Sequence, residues 1–231
     1  MVVAGQTARG AEKRGRGFLG STIGRKVVMA VTGVILFGFV TVHMLGNLQA
    51  YAGRETLNQY AELLQTMGHG AGIWIFRAVL LWAVTLHTWA AVTLTMDNRR
   101  ARPAGYREQQ LRAATWASRT MRWSGIVLVA FIVYHILHLT VGTVHPAFVK
   151  GDAYGNFVAG FKVPAAAAFY VVAQLCLGLH LWHGAWSFTQ TLGWSHPRYN
   201  GLRRAFASGL TVSVVGVNVS YPIAVLAGII H

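Results

Sequence analysis

The amino-acid sequence predicts an all-α fold, an integral membrane bundle of five transmembrane helices. Of its 231 residues, 54% are hydrophobic and only 11% are charged, whereas a soluble domain carries about 25% charged residues. The charges are clustered, which leaves apolar runs longer than the ~18 residues that indicate a transmembrane helix. Four of these runs also contain a histidine far from either end, which is unusual for a membrane segment.

Each predicted span is roughly 22–26 residues long, enough to cross ~30 Å of hydrocarbon with some tilt. The spans are residues 27–49, 73–96, 123–144, 165–190 and 207–230. Span one follows a basic arm as a signal peptide would, but its apolar run exceeds the ~7–15 residues of such a segment, so we expect it to be retained. Span five has no internal histidine, and small residues at helical spacing predict a packing role for it. These residues are Gly209, Ser213 and Gly216.

The domain organisation predicted from this pattern is a basic arm, residues 1–20, followed by a membrane domain, residues 21–231. Residues 1–26 and the connections after spans two and four hold sixteen lysines and arginines, whereas the other two connections hold only three. Because basic residues collect on the cytoplasmic side, we expect a cytoplasmic N-terminus and an external C-terminus. This asymmetry also accounts for the net charge of +14, and no recognition module for nucleic acid is visible.

Several kinds of redox site are excluded by composition. Cys176 is the only cysteine, so the chain can form no internal disulfide, and it cannot alone supply the four or so thiolates of an iron–sulfur cluster. No Gly-x-Gly-x-x-Gly motif follows a strand, which disfavours a dinucleotide site. Any substrate chemistry beyond electron transfer is therefore expected on a partner protein.

The histidines of spans one to four fall at paired depths. At a helical rise of ~1.5 Å per residue, His43 and His135 lie ~24 Å and ~18 Å from the cytoplasmic edge, and His87 and His180 lie ~15 Å from it. We call His43 and His135 the outer pair, and His87 and His180 the inner pair. Imidazole is the usual protein ligand of haem iron, so the pattern predicts two bis-histidine haems b.

Other interpretations of the same residues stay open. A histidine-lined proton or metal path would also explain histidines within a membrane. Such a transporter usually contains acids in its spans and internal repeats, and we detect neither in spans one to four. Five glycines would let a flat macrocycle approach the backbone, or would simply allow close helix packing. They are Gly33, Gly38, Gly125, Gly178 and Gly184.

Seven short segments lie in or beside spans one, three and four. They are residues 21–26, 32–33 and 43–48 at span one, 119–125 and 134–138 at span three, and 179–184 and 190–193 at span four. Together they resemble the single-chain di-haem cytochrome b subunit of succinate dehydrogenases and fumarate reductases. The resemblance implies a membrane anchor, in a bacterial cytoplasmic membrane, that binds two haems b and exchanges electrons with a quinone. It also implies a flavoprotein subunit and an iron–sulfur subunit docked on the cytoplasmic side, where succinate chemistry occurs.

The resemblance also implies which histidines bind iron. In the family's fourth helix the ligand precedes a glycine by four positions, which selects His180 over His183. In the third helix a glycine lies ten residues before the ligand, which selects His135 over His138, although depth alone slightly favours His138. We expect His138 and His183 to orient a haem propionate or the quinone, because each shares nearly the same helix face as the neighbouring ligand.

Three arginines and one acid complete the predicted site. Arg119 and Arg122 are placed to pair with propionates of the inner haem, and Arg77 with one of the outer haem. Ordinary positive-inside charge, or snorkelling of Arg77, would also explain them. By resemblance, a menaquinone site near the outer haem uses a glutamate for proton exchange, and Glu62 is the first candidate.

Glu55 is the second candidate for that proton exchange, and a solvated loop acid is the alternative for either glutamate. The cytochrome b of a membrane hydrogenase or formate dehydrogenase is the alternative redox assignment. The sequence leaves the physiological direction of the reaction open.

Overall fold

The computed structural model describes residues 17–100, 116–194 and 196–231, and in those ranges it contains seven α-helices and no strand. The helices are α1 (Thr22–Asn47), α2 (Arg54–Thr66), α3 (Ala71–Arg100), α4 (Trp116–His135), α5 (Ala153–Phe161), α6 (Pro164–Thr191) and α7 (Asn200–Leu226). A π-helical turn, Ile136–Val141, continues α4. The predicted arm lies outside the described residues except for its last four.

Five of these helices, α1, α3, α4, α6 and α7, are long and apolar enough to cross a membrane, which confirms the all-α, five-span prediction. The chain is therefore a multi-pass membrane protein. The bounds of spans three and five differ from the predicted ones. Helical structure after α4 ends at Val141, because Gly142 adopts a left-handed conformation with φ 86°, and α7 begins earlier, at Asn200, and ends at Leu226.

The central helix of the bundle is α6, which packs against α1, α4 and α7. Helix α3 packs along α1 instead. In the described part of the chain, α3 and α4 do not pack against each other as extensively as α1 and α3 do. An ion pair of 2.8 Å between Arg25 and Asp97 ties the start of α1 to the end of α3. The Arg25 side chain is only 11% exposed, so this contact fixes the antiparallel register of α1 and α3 at one end of the bundle.

The opposite end of the bundle is closed by the two short helices α2 and α5, and we call it the outer end, following the predicted orientation. An apolar cluster there joins α2, α5, α6 and α7. Asp152 connects α5 to α2 through hydrogen bonds from Asn58, at 3.0 Å, and Arg54. The Asn58 amide, the Gly155 N–H and Arg54 together hold the pKa of Asp152 below its usual value, so the link stays ionic.

Candidate functional site

The structure brings the two histidines of the inner pair face to face across the bundle. The ring centres of His87 on α3 and His180 on α6 are 6.1 Å apart, with their planes inclined by 59°. His87 Nδ1 lies 3.2 Å from Thr32 Oγ1 and 3.1 Å from the Met29 carbonyl oxygen. His180 Nδ1 lies 3.4 Å from Ser124 Oγ.

The hydrogen bonds around the inner pair determine its tautomers. The Thr32 hydroxyl donates to the Val28 carbonyl at 2.6 Å, and the Ser124 hydroxyl donates to the Met121 carbonyl at 3.0 Å. Backbone carbonyls can only accept, so Nδ1 of His87 donates to the Met29 carbonyl and Nδ1 of His180 to the Met121 carbonyl. Nε2 of His87 and of His180 then carries a lone pair, which is the form of imidazole that binds a metal.

The outer pair is also brought together, with the ring centres of His43 and His135 5.8 Å apart and their planes inclined by 83°. His135 Nδ1 lies 3.2 Å from the Tyr170 hydroxyl on α6. His43 Nε2 lies 3.2 Å from the Asn47 side-chain nitrogen, one turn further along α1. An amide nitrogen is a donor, so this Nε2 carries a lone pair as well.

Two of the five glycines leave room for the inner pair. A Cβ on Gly33 would lie 3.3 Å from His87 Cε1, and one on Gly125 would lie 3.8 Å from His180 Cε1. Gly178 serves helix packing instead, since its Cβ would lie 3.0 Å from Val215 Cγ2 on α7. Added Cβ atoms on Gly38 and Gly184 would meet nothing within 4 Å.

The surroundings of the histidines repeat along the chain, so the expectation that spans one to four lack internal repeats was wrong. Met29, Thr32, Gly33, Phe39 and His43 of α1 recur at identical spacings in α4 as Met121, Ser124, Gly125, Phe131 and His135. Phe76 and His87 of α3 recur in α6 as Phe169 and His180. The contacts repeat too: Phe39 packs 5.9 Å from Phe76, and Phe131 packs 6.0 Å from Phe169. The helix pairs α1–α3 and α4–α6 are therefore equivalent halves.

The donor set fits one kind of metal group. A metal–imidazole bond is ~2 Å long, so two imidazoles on opposite sides of one ion have ring centres roughly 6 Å apart, as both pairs do. Among the described residues, no group of three or more histidine, cysteine, aspartate or glutamate side chains could hold an ion. Two facing imidazoles per site suit a metal whose other ligands belong to a macrocycle, as in haem.

Comparison with known proteins assigns the bundle to a family. A profile of succinate dehydrogenase/fumarate reductase transmembrane subunits matches residues 96–219, more than half of the chain. The chain belongs to this family. The match confirms the resemblance found in the sequence, and it covers α4, α6 and most of α7. No curated protein and no solved structure matches the chain.

In this transmembrane subunit, the two additional histidines of spans three and four occupy different environments. His138 lies in the π-helical turn, is 1% exposed, and has its Nδ1 3.1 Å from the Tyr170 hydroxyl. Its ring stacks on Tyr134, with centres 5.1 Å apart, and lies beside His145. His183 is half-buried, one helical turn beyond His180 on α6.

Two of the predicted arginines of the transmembrane subunit, Arg77 and Arg122, are exposed. Arg77 is exposed near the outer end of α3, and its guanidinium carbon lies 4.9 Å from the centre of the Trp74 ring. Arg122 is exposed near the start of α4. The side chain of Arg119 is outside the described part of the structure, so its predicted contact with a propionate stays a prediction.

Glu62 and Glu55 share the exposed face of α2. Leu57, which is buried, and Tyr60, which packs against Gly46 of α1, form the opposite face. The Glu55 carboxylate accepts a hydrogen bond of 3.0 Å from Gln59. The Glu62 side chain thus faces away from α1, and its predicted role at a quinone site stays a prediction.

Proposed function

We propose that this chain is the quinone-reactive cytochrome b of a succinate:quinone oxidoreductase, in which the outer pair and the inner pair each bind one haem b. The observation that supports the proposal is the presence of two facing histidine pairs in a member of the succinate dehydrogenase/fumarate reductase transmembrane family. When bound, haem supplies one-electron transfer between the two sides of the membrane.

The chain's own residues orient the imidazole rings. Thr32, Ser124 and the backbone carbonyls beside them fix Nδ1 of the inner histidines, which presents each Nε2 for coordination. Arg119 and Arg122 would pair with propionates of the inner haem, and Arg77 with one of the outer haem. His183 would contact a propionate or the quinone, as half-buried imidazole can donate and accept hydrogen bonds.

Electrons would pass between this chain and an iron–sulfur subunit, which in turn exchanges them with a flavoprotein subunit that carries succinate chemistry. The docking surface would be the cytoplasmic side, where residues 1–26, 97–122 and 191–206 concentrate the positive charge. Membership of the family supports such partners. The chain would sit in the cytoplasmic membrane of a bacterium and reduce or oxidise a quinone, in our proposal menaquinone.

Haem stoichiometry tests the proposal directly. We expect about two haems b per chain when the purified protein is measured by a pyridine haemochrome assay together with protein quantification. A colourless protein would contradict every redox assignment and favour a histidine-dependent transporter. Hydrogenase or formate dehydrogenase subunits in the purified complex, in place of a flavoprotein and an iron–sulfur protein, would favour the other redox assignment.

Glu62 provides a test of the quinone site. Quinone reduction takes up two protons, so a nearby acid that exchanges protons with water assists it. We expect Glu62→Gln to keep both haems and the dye-linked succinate activity of the complex but to lose most quinone-linked activity. Glu55→Gln, on the same face of α2, tests the second candidate: loss of quinone-linked activity in that variant alone would assign the role to Glu55. Unchanged quinone turnover in Glu62→Gln would make Glu62 an ordinary exposed acid.

A further inference from the structure

One buried hydroxyl group at the outer end contacts two imidazoles. The Tyr170 oxygen lies 3.2 Å from His135 Nδ1 and 3.1 Å from His138 Nδ1. Tyr170 is 5% exposed and is held between Phe131 and Phe161, with ring centres 5.0 Å and 4.8 Å away. The π-helical turn begins between the two histidines, and turns of this kind inside α-helices are frequent at functional sites.

The single proton of this hydroxyl restricts the tautomers of both rings. If both Nδ1 atoms were donors, the Tyr170 O–H would have no acceptor, and if both were acceptors, the hydroxyl could serve only one of them. Buried polar groups are rarely left unpaired, so one histidine donates to Tyr170 and the other accepts from it. Only the histidine that donates through Nδ1–H keeps a lone pair on Nε2, and only that histidine can bind iron there.

The neighbours of the two rings show which histidine has which role. The His135 ring faces His43, whereas the His138 ring stacks on Tyr134 and lies 5.1 Å from His145. His145 is itself fully paired, since its Nε2 lies 2.8 Å from the Asn156 carbonyl and its Nδ1 accepts from the Ala147 N–H. Among the residues that the structure describes, His138 therefore has no imidazole opposite it that could complete a bis-histidine site.

We propose that Tyr170 is the positioning residue of the outer site: it accepts from His135 Nδ1–H, donates to His138 Nδ1, and so makes His135 the ligand and excludes His138. This inference rests on the proposed function. The repeat supports a specific role for Tyr170, because the equivalent residue in the other half is Arg77, which is exposed and can only donate.

The hydrogen bond has a measurable electronic consequence. A partner that accepts from the outer N–H of a ligating imidazole makes the ligand more basic, and a more basic ligand favours the oxidised, more positively charged iron. Loss of the Tyr170 hydroxyl should therefore raise the midpoint potential of the outer haem and leave that of the inner haem unchanged. The inner histidines keep backbone carbonyl partners, at Met29 and Met121, so they do not depend on such a group.

The test is a redox titration of the purified complex that carries Tyr170→Phe, followed optically, with haem content measured in parallel. We expect both haems to be present and only the outer one to titrate at a higher potential. Tyr134→Phe is the matched control: its ring packs in the same cluster, but its hydroxyl makes no hydrogen bond among the described residues, so both potentials should stay as in the wild type. An unchanged outer potential in Tyr170→Phe, or an equal shift in Tyr134→Phe, overturns the proposal.

If Tyr170→Phe does not retain the outer haem, a second variant, His138→Leu, tests the same hydrogen-bonded arrangement. His138→Leu removes the acceptor of the Tyr170 proton but leaves the His135 contact, so the outer haem should stay and titrate at a somewhat higher potential. Loss of the outer haem, or an unchanged potential, in His138→Leu overturns the proposal. Absence of both haems from the wild-type chain would instead contradict the proposed function itself.

Discussion

Alanine in place of one histidine of a pair is expected to abolish the haem of that pair and to spare the other haem. The reason is geometric, because His43 and His135 face each other at 5.8 Å and His87 and His180 at 6.1 Å, so each haem would be held by both imidazoles of its pair. Low-temperature difference spectra of the four single variants should show loss of one spectral component from the His43 and His135 variants and of the other from the His87 and His180 variants.

The controls for this series are the neighbouring histidines. His138→Gln and His183→Gln should retain the spectral components of both haems, since neither histidine belongs to the outer pair or to the inner pair. Loss of the same component from the His43 and His87 variants would show that the pairing is wrong. Loss of a haem from His138→Gln, with retention in His135→Gln, would exchange the roles of these two residues.

We expect the substitution Gly33→Leu to eliminate the inner haem and to leave the outer haem bound. Even a Cβ at this position would lie 3.3 Å from His87 Cε1 and 3.6 Å from His87 Nδ1, so the larger side chain must displace the imidazole. The displacement also breaks the contacts of Nδ1 with Thr32 and Met29. Haem content should fall by about half, and the remaining component should have the spectrum and potential of the outer haem.

Gly38→Leu is the matched control, because it places the same side chain on the same helix where an added Cβ meets nothing within 4 Å. Both substitutions replace a glycine by a better helix former, so a difference between them reports the space beside His87. Full inner-haem content in Gly33→Leu would show that the His87 ring does not occupy the position described here.

Hydropathy and charge were sufficient to predict the membrane bundle, but not where its helices end. The number of spans follows from apolar runs that only a bilayer can accommodate. The end of span three, by contrast, depends on the left-handed Gly142 and on the π-helical turn that places His138 against Tyr170. A change of helical register of this kind arises from tertiary contacts, which a single span does not encode.

The histidine pairs were predicted from depth and helix direction, and the structure brings the two members of each pair close together. Their hydrogen-bond partners were missed, although Thr32-Gly33 and Ser124-Gly125 stand at the same distance before His43 and His135 and could have been found by comparing the two spans. Tyr170 had no such signal, because its counterpart is Arg77. Residues that make the two halves different can be recognised only once the contacts are known.

The repeat has a consequence for how such a molecule can originate. Each half contributes one histidine to the outer pair and one to the inner pair. The partner of His43 therefore lies in α4, and the partner of His87 lies in α6. Neither half can complete a site within itself. Two copies of one ancestral two-helix hairpin, however, would supply all four ligands, and fusion of the copies into one chain would then have allowed Arg77 and Tyr170 to diverge.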